Sequence, residues 1–153
     1  MVLLTVIMVI IVQMLISMGG VYRNIKITRE LESSGAIVME NMLREIRNAS
    51  SVVVGESSLG VNPGTLTISG VDESLNSYKM AFDVSSGVLR ISKDEGTPTA
   101  LTSSSGVVSY LLFTRVATST SEGVKVELEM SGTIGSVSRS ERFYGFSVLR
   151  GSY

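Results

Sequence analysis

The sequence predicts an α+β protein: one long N-terminal α-helix, with an apolar and protruding first half, packed by its second half on an antiparallel β-sheet head. Three observations predict it. Residues 1–22 carry no charge, and no proline occurs before Pro63. After Ser51 the apolar residues stop recurring at helical spacing and begin to alternate with polar ones. The chain divides accordingly into a membrane or filament-core helix at 1–22, an amphipathic continuation at 23–50 and a β-rich head at 51–153.

The first segment contains only Thr5, Gln13 and Ser17 as polar interruptions. At about 1.5 Å of rise per residue, roughly 20 residues cross the hydrocarbon layer of a bilayer, so this run is long enough to span. A signal peptide fits poorly, because a cleaved signal has a basic flank ahead of a shorter apolar stretch. Here the first cations, Arg23, Lys26 and Arg29, follow the span. Taken alone, the positive-inside rule places that flank in the cytoplasm. Gly19-Gly20 is the weak point of the helix, a local softening or a place of close packing, since glycine costs about 1 kcal/mol in a helix interior.

Beyond the span, Ile25, Leu31, Val38, Met39, Met42, Ile46 and Ala49 form the apolar side, and from Val38 the spacing of three to four makes one stripe. Met39, Met42 and Ile46 are expected to pack on the sheet. Glu40, Arg44, Glu45 and Arg47 occupy the opposite face, with Glu40 and Arg44 at i,i+4 as a favourable pair. Asn48-Ala49-Ser50-Ser51 ends the helix. Continued to that point, it is on the order of 75 Å long, more than the remaining chain can cover. Its apolar half therefore needs lipid or identical neighbours.

In the head, Tyr78, Met80, Phe82 and Val84 alternate with Lys79, Ala81 and Asp83. Val124, Val126, Leu128 and Met130 alternate with Lys125, Glu127 and Glu129. Alternation with one charged face marks half-buried antiparallel strands. Further strands are expected at 51–54, 65–69, 88–92, 107–116 and 141–150. Turns are read at 61–64, 85–87, 93–96, 103–106 and 118–123, with a hairpin across Ser85-Ser86-Gly87.

Chemistry is sparse. The chain has no cysteine and no histidine, which removes disulfides, Cys/His metal sites and histidine- or cysteine-based catalysis. A net charge of −1, without a basic stripe, argues against a nucleic-acid surface. Gly60–Gly64 lacks the lysine and helix of a phosphate loop. Asp72-Glu73 and Asp94-Glu95 are acidic pairs in turns; Asp94 and Glu95 are the better candidate for a cation. Asn48-Ala49-Ser50 matches a glycosylation sequon at a helix end and is discounted. No enzyme activity and no cofactor are expected.

The functional signal is architectural. Packing of protruding apolar helices excludes water and drives assembly. Thr5, Gln13 and Ser17 either line one face, hydrogen-bonding across to a neighbour for about 1 kcal/mol each, or are tolerated polar residues. Ile10 sits mid-span, with Gly19 and Gly20 at the far end.

This layout resembles, over the whole chain, the type IV pilin-like proteins: minor pilins and type II secretion pseudopilins. The run Leu43-Arg44-Glu45-Ile46-Arg47-Asn48-Ala49-Ser50-Ser51-Val52 is similar to the L-R-E-I-R-x-A-x-x-V segment closing the long helix of J-like members. The ending Glu141–Tyr153, with Val148-Leu149-Arg150, resembles their last strand. The family opens with a basic leader ending in glycine, cut by a prepilin peptidase, then a Phe-Thr-Leu-Ile-Glu-like motif. None of this is visible here. Either Met1 is an internal start, which the short distance to Arg44–Arg47 favours, or Thr5 stands where the family has its glutamate, as in subunits at a filament tip. A missing leader also accounts for the orientation of the cations.

The resemblance implies a structural subunit, minor or initiating, held in the cytoplasmic membrane with its head outside the cytoplasm. From there it enters a cell-surface or periplasmic filament with other pilin subunits as partners. The alternatives are a single-pass anchored binding protein that does not polymerise, and a hydrolase with two converging carboxylates.

Overall fold

The computed structural model describes residues 2–72, 74–102 and 106–151, except for the side chains at 2, 5 and 16. Met1, Glu73, the Ser103–Ser105 run, Ser152 and Tyr153 lie outside the described residues. The helix α1 runs unbroken over Val2–Asn48, 47 residues, or about 70 Å at the standard rise. Gly19-Gly20 does not interrupt it. The absence of proline permits this continuity. Ala49 closes the last turn on the carbonyls of Glu45 and Ile46 at 3.1 and 3.2 Å. The chain's end returns to the same place, where Arg150 N–H donates to Arg47 O at 2.9 Å. Helix carbonyls that would otherwise lack partners are thereby satisfied.

The head holds β1 (Ser51–Val52), β2 (Leu66–Val71), β3 (Ser77–Ser85), β4 (Val88–Lys93), β5 (Thr99–Ala100), β6 (Val107–Ala117), β7 (Glu122–Ile134) and β8 (Val137–Val148). They make two antiparallel sheets rather than one: a 5-stranded sheet ordered β1-β2-β3-β4-β5 and a 3-stranded sheet ordered β6-β7-β8. Every neighbouring pair is a sequential meander, so no crossover is needed. The expected hairpin is present. Ser85 pairs with Val88, and the two loop residues, Ser86 and Gly87, both have positive φ, 52° and 75°, the conformation a tight hairpin of matching twist requires. The β7–β8 hairpin has positive φ at one of its two loop residues, Gly135 at 64°.

The expected alternation in β7 is borne out: Val124, Val126, Leu128 and Met130 are all fully buried, while Lys125 is exposed. They share one core with Leu66, Ile68, Phe82 and Leu89 of the larger sheet and with α1. On α1 the buried stripe is Ile27, Leu31, Val38, Met39, Met42 and Ile46, and Ala49 just past its end continues it. Ile25 is a correction: it is 51% exposed, because Ile27 is the residue one helical repeat before Leu31. Arg44 also departs from expectation. It meets Asn41 Oδ1 at 3.0 Å and the Glu45 carboxylate at 3.5 Å, in place of Glu40.

Glycine at two positions lets α1 lie close on β8. A Cβ on Gly35 would enter the ring of Phe143, and one on Gly145 would meet Leu43 and Met39. At the lower end Arg139 Nε donates to Asn24 Oδ1 at 2.7 Å. Strand β8 therefore runs beside α1 in the same direction, from Asn24 to Arg47.

Candidate assembly surface

The head reaches down α1 only as far as Arg23 and Asn24, where the Gly135 turn and Arg139 meet it. The described apolar side chains below that level are exposed. Leu3 is 77% exposed, Ile10 57% and Met14 67%. In a folded monomer such a continuous apolar surface has no compensating contact, and exposed patches of this kind mark membrane or protein interfaces. This is the one helix in the described residues long and apolar enough to cross a membrane, with none of the qualifying window buried.

The sequence-read assembly residues fall on this segment. Gln13 and Ser17 are exposed, lie at i,i+4 and share a face. Gly20 continues that line; neither it nor Gly19 has anything within 4 Å of where a Cβ would stand. The side chain of Thr5 lies outside the described residues. Just past the segment, Tyr22 is 71% exposed and Arg23 and Lys26 are exposed. Aromatic residues and cations are enriched where membrane spans meet water.

The packing residues are placed as expected. Met42 and Ile46 are fully buried and Met39 nearly so. Against this, the acidic turns hold no evident site. Asp94 and Glu95 both have positive φ, 51° and 57°. The Asp94 carboxylate accepts the Lys79 backbone N–H at 2.7 Å, and Asp94 N–H donates to Lys79 O at 2.8 Å. These residues shape the turn that leaves β4 and tie it to Lys79 near the start of β3. Among the described residues no group of three or more acids assembles for a metal. Asp72 Oδ1 accepts the N–H groups of Ser74 and Asn76, both at 2.9 Å, which is also turn chemistry. Glu56 and Glu95 do line one depression, of about 70 Å³, room for about two waters. There the Glu56 carboxylate is paired with Lys79 Nζ. That hydrogen bond raises the Lys79 pKa, against a smaller lowering by desolvation.

Sequence reading passed over two features. One is the pair Gly35 and Gly145, which the spacing of apolar residues does not reveal. The other is a groove of about 580 Å³ between the flank of α1 and β8. Its helix residues recur at Ala36, Glu40, Leu43 and Arg47, a periodicity that marks one face but does not say what lies opposite.

Comparisons with protein-family models, curated proteins and solved structures return no match. What the chain displays on its own is a long apolar N-terminal helix joined to a β-sheet head, a shape compatible with a pilin-like subunit.

Proposed function

We propose that this protein is a structural subunit that waits in a membrane through its N-terminal helix and then assembles, helix against helix, into a type IV pilus-like or secretion pseudopilus filament. One observation carries the reading: the apolar half of α1 projects beyond a head that has its own closed core. Lipid and sibling helices are the two surroundings that cover such a rod without unfolding the head. Both bury apolar surface, and in either one the helix satisfies its backbone internally. The aligned Gln13, Ser17 and Gly20 then suit close helix packing in a dry interior, where small residues allow backbones to approach.

Ile10→Asp tests this directly. A carboxylate at mid-span costs about 2.5–3.5 kcal/mol or more in a bilayer. The variant should retain a folded head yet be missing from filaments. Ordinary incorporation of Ile10→Asp would contradict the assignment. A wild-type protein that stays in the membrane with no helix–helix cross-links between subunits would favour the anchored, non-polymerising alternative.

A further inference from the structure

Counted upward from the apolar half of α1, the first charges are all positive. Arg23, Lys26 and Arg29 precede Glu30 and Glu32 on the helix, and on β8 Arg139 precedes Glu141. The two series meet at one level. Arg139 Nε donates to Asn24 Oδ1 at 2.7 Å, and the Gly135 turn lies beside Arg23. Lys26 has a carboxylate near it, Glu30 at 3.9 Å. Among the described residues no ion pair includes Arg23, Arg29 or Arg139, and Glu32 and Glu141 reach no cation. All three arginines are exposed. The level of the head next to the apolar span is thus a corner of uncompensated positive charge.

A depression of about 310 Å³ lies in this corner, lined by Asn24, Ile25, Thr28 and Arg29. Its Asn24 wall is the residue that holds Arg139. That bond uses one of the five N–H donors of a guanidinium. Two guanidinium groups from distant segments therefore stand at one depression, with a hydroxyl, an amide and the exposed aliphatic side chain of Ile25. Below it Val21, Met18 and Met14 follow Ile25 at steps of four, three and four, and all are exposed. This spacing puts them on one face, an apolar strip leading from the depression down the span. It runs beside the line of Gln13, Ser17 and Gly20 and leaves that line free.

We propose that this corner holds the phosphate of an anionic phospholipid, with Arg29 and Arg139 on the phosphate and an acyl chain along Ile25, Val21, Met18 and Met14. The inference rests on the membrane reading above and adds a preferred lipid to it. Arginine suits the role because its planar fork donates two N–H bonds to a phosphate. Charge complementarity selects a lipid of net negative charge, since the ammonium of a zwitterionic headgroup offsets its own phosphate. A free phosphate ion would meet the charges but leave the apolar strip uncovered.

The test is native mass spectrometry of the full chain, released from non-ionic detergent containing equal amounts of phosphatidylglycerol and phosphatidylcholine. Wild type should retain phosphatidylglycerol over phosphatidylcholine by about tenfold or more. Arg29 makes no ion pair among the described residues, so Arg29→Gln should fold normally and lower that preference about fivefold. Arg29→Gln/Arg139→Gln should abolish it. Arg47→Gln/Arg150→Gln removes two other unpaired cations, at the opposite end of α1, and should leave the preference intact. Inorganic phosphate at matched ionic strength should not displace the lipid. The proposal is overturned if wild type retains both lipids equally, if the Arg29/Arg139 variant keeps its preference, if the Arg47/Arg150 control loses it equally, or if inorganic phosphate displaces the lipid. Flotation with vesicles of phosphatidylcholine alone reports the membrane reading separately. Protein that inserts there but shows no preference for phosphatidylglycerol contradicts this site alone, whereas protein that stays in the aqueous phase contradicts both.

Discussion

Replacing Gly35 with alanine sets two effects of opposite sign against each other. Gly35 lies within α1, and on propensity alone alanine should stabilise a helix interior by about 1 kcal/mol. The structure predicts the reverse. Gly35 is buried, and the added methyl would fall inside the ring of Phe143. That ring is half-buried, and its backbone is fixed opposite Leu128 in the β7–β8 ladder. The ring cannot move aside without leaving its contact on the helix. Overpacking of this kind costs about 1–3 kcal/mol. With the propensity gain subtracted, Gly35→Ala should destabilise the head by up to about 2 kcal/mol. For a head of this size each 1 kcal/mol moves Tm by about 4–8 °C. Thermal circular dichroism in one non-ionic detergent would measure four proteins: wild type, Gly35→Ala, Phe143→Ala and the double variant. In the Phe143→Ala background the methyl has room, so the same substitution should turn neutral or stabilising. That change of sign is the coupling a double-mutant cycle isolates. A Gly35→Ala protein that melts above wild type would refute the docking of α1 on β8. An equal loss in both backgrounds would show that the ring is not the cause.

Other substitutions separate core from surface. Met42 is fully buried, so Met42→Asp places an unpaired carboxylate in the shared core; the head should fail to fold, seen as loss of the melting transition and rapid proteolysis. The Ser147 hydroxyl is buried without a hydrogen-bond partner among the described residues. Its desolvation is uncompensated, so Ser147→Ala should leave Tm unchanged or raise it, by up to about 1 kcal/mol of stability; a clear drop would mean the hydroxyl has a partner.

Much of this architecture could be read from local pattern. The uncharged N-terminus, the spacing of Met39, Met42 and Ile46, and the alternation through Val124–Met130 each reflect a period intrinsic to one element, and those elements formed as expected. Where the reading fell short, the cause lies between elements. Strand β7 extends to Ile134 and β8 begins at Val137, although Gly132 is a poor strand former; pairing with Arg139 of the neighbouring strand holds it in the ladder. The short β5, Thr99–Ala100, carries too few residues to show a period. Division into two sheets depends on which edges meet, which alternation does not encode. Ile27, rather than Ile25, stands at i,i+4 from Leu31 and so continues the buried stripe. Gly35 and Gly145 look like breakers in isolation; their role is close approach, visible only with Phe143 and Leu43 in place. The apolar helix was legible because its signal is exposure demanded by length, whereas the β8 groove is made of residues brought together from two distant segments.

The central claim is that the apolar half of α1 is covered by lipid or by other helices rather than by its own head. The chain has no cysteine, so Ile10→Cys gives a single thiol at mid-span. In native membranes or filaments that thiol should resist a water-soluble maleimide, and it should react once the protein is moved into detergent and unfolded. A variant recovered in the aqueous fraction as a monomer, with the introduced thiol still protected while the head is folded, would mean the segment folds back into its own globule and would contradict the account.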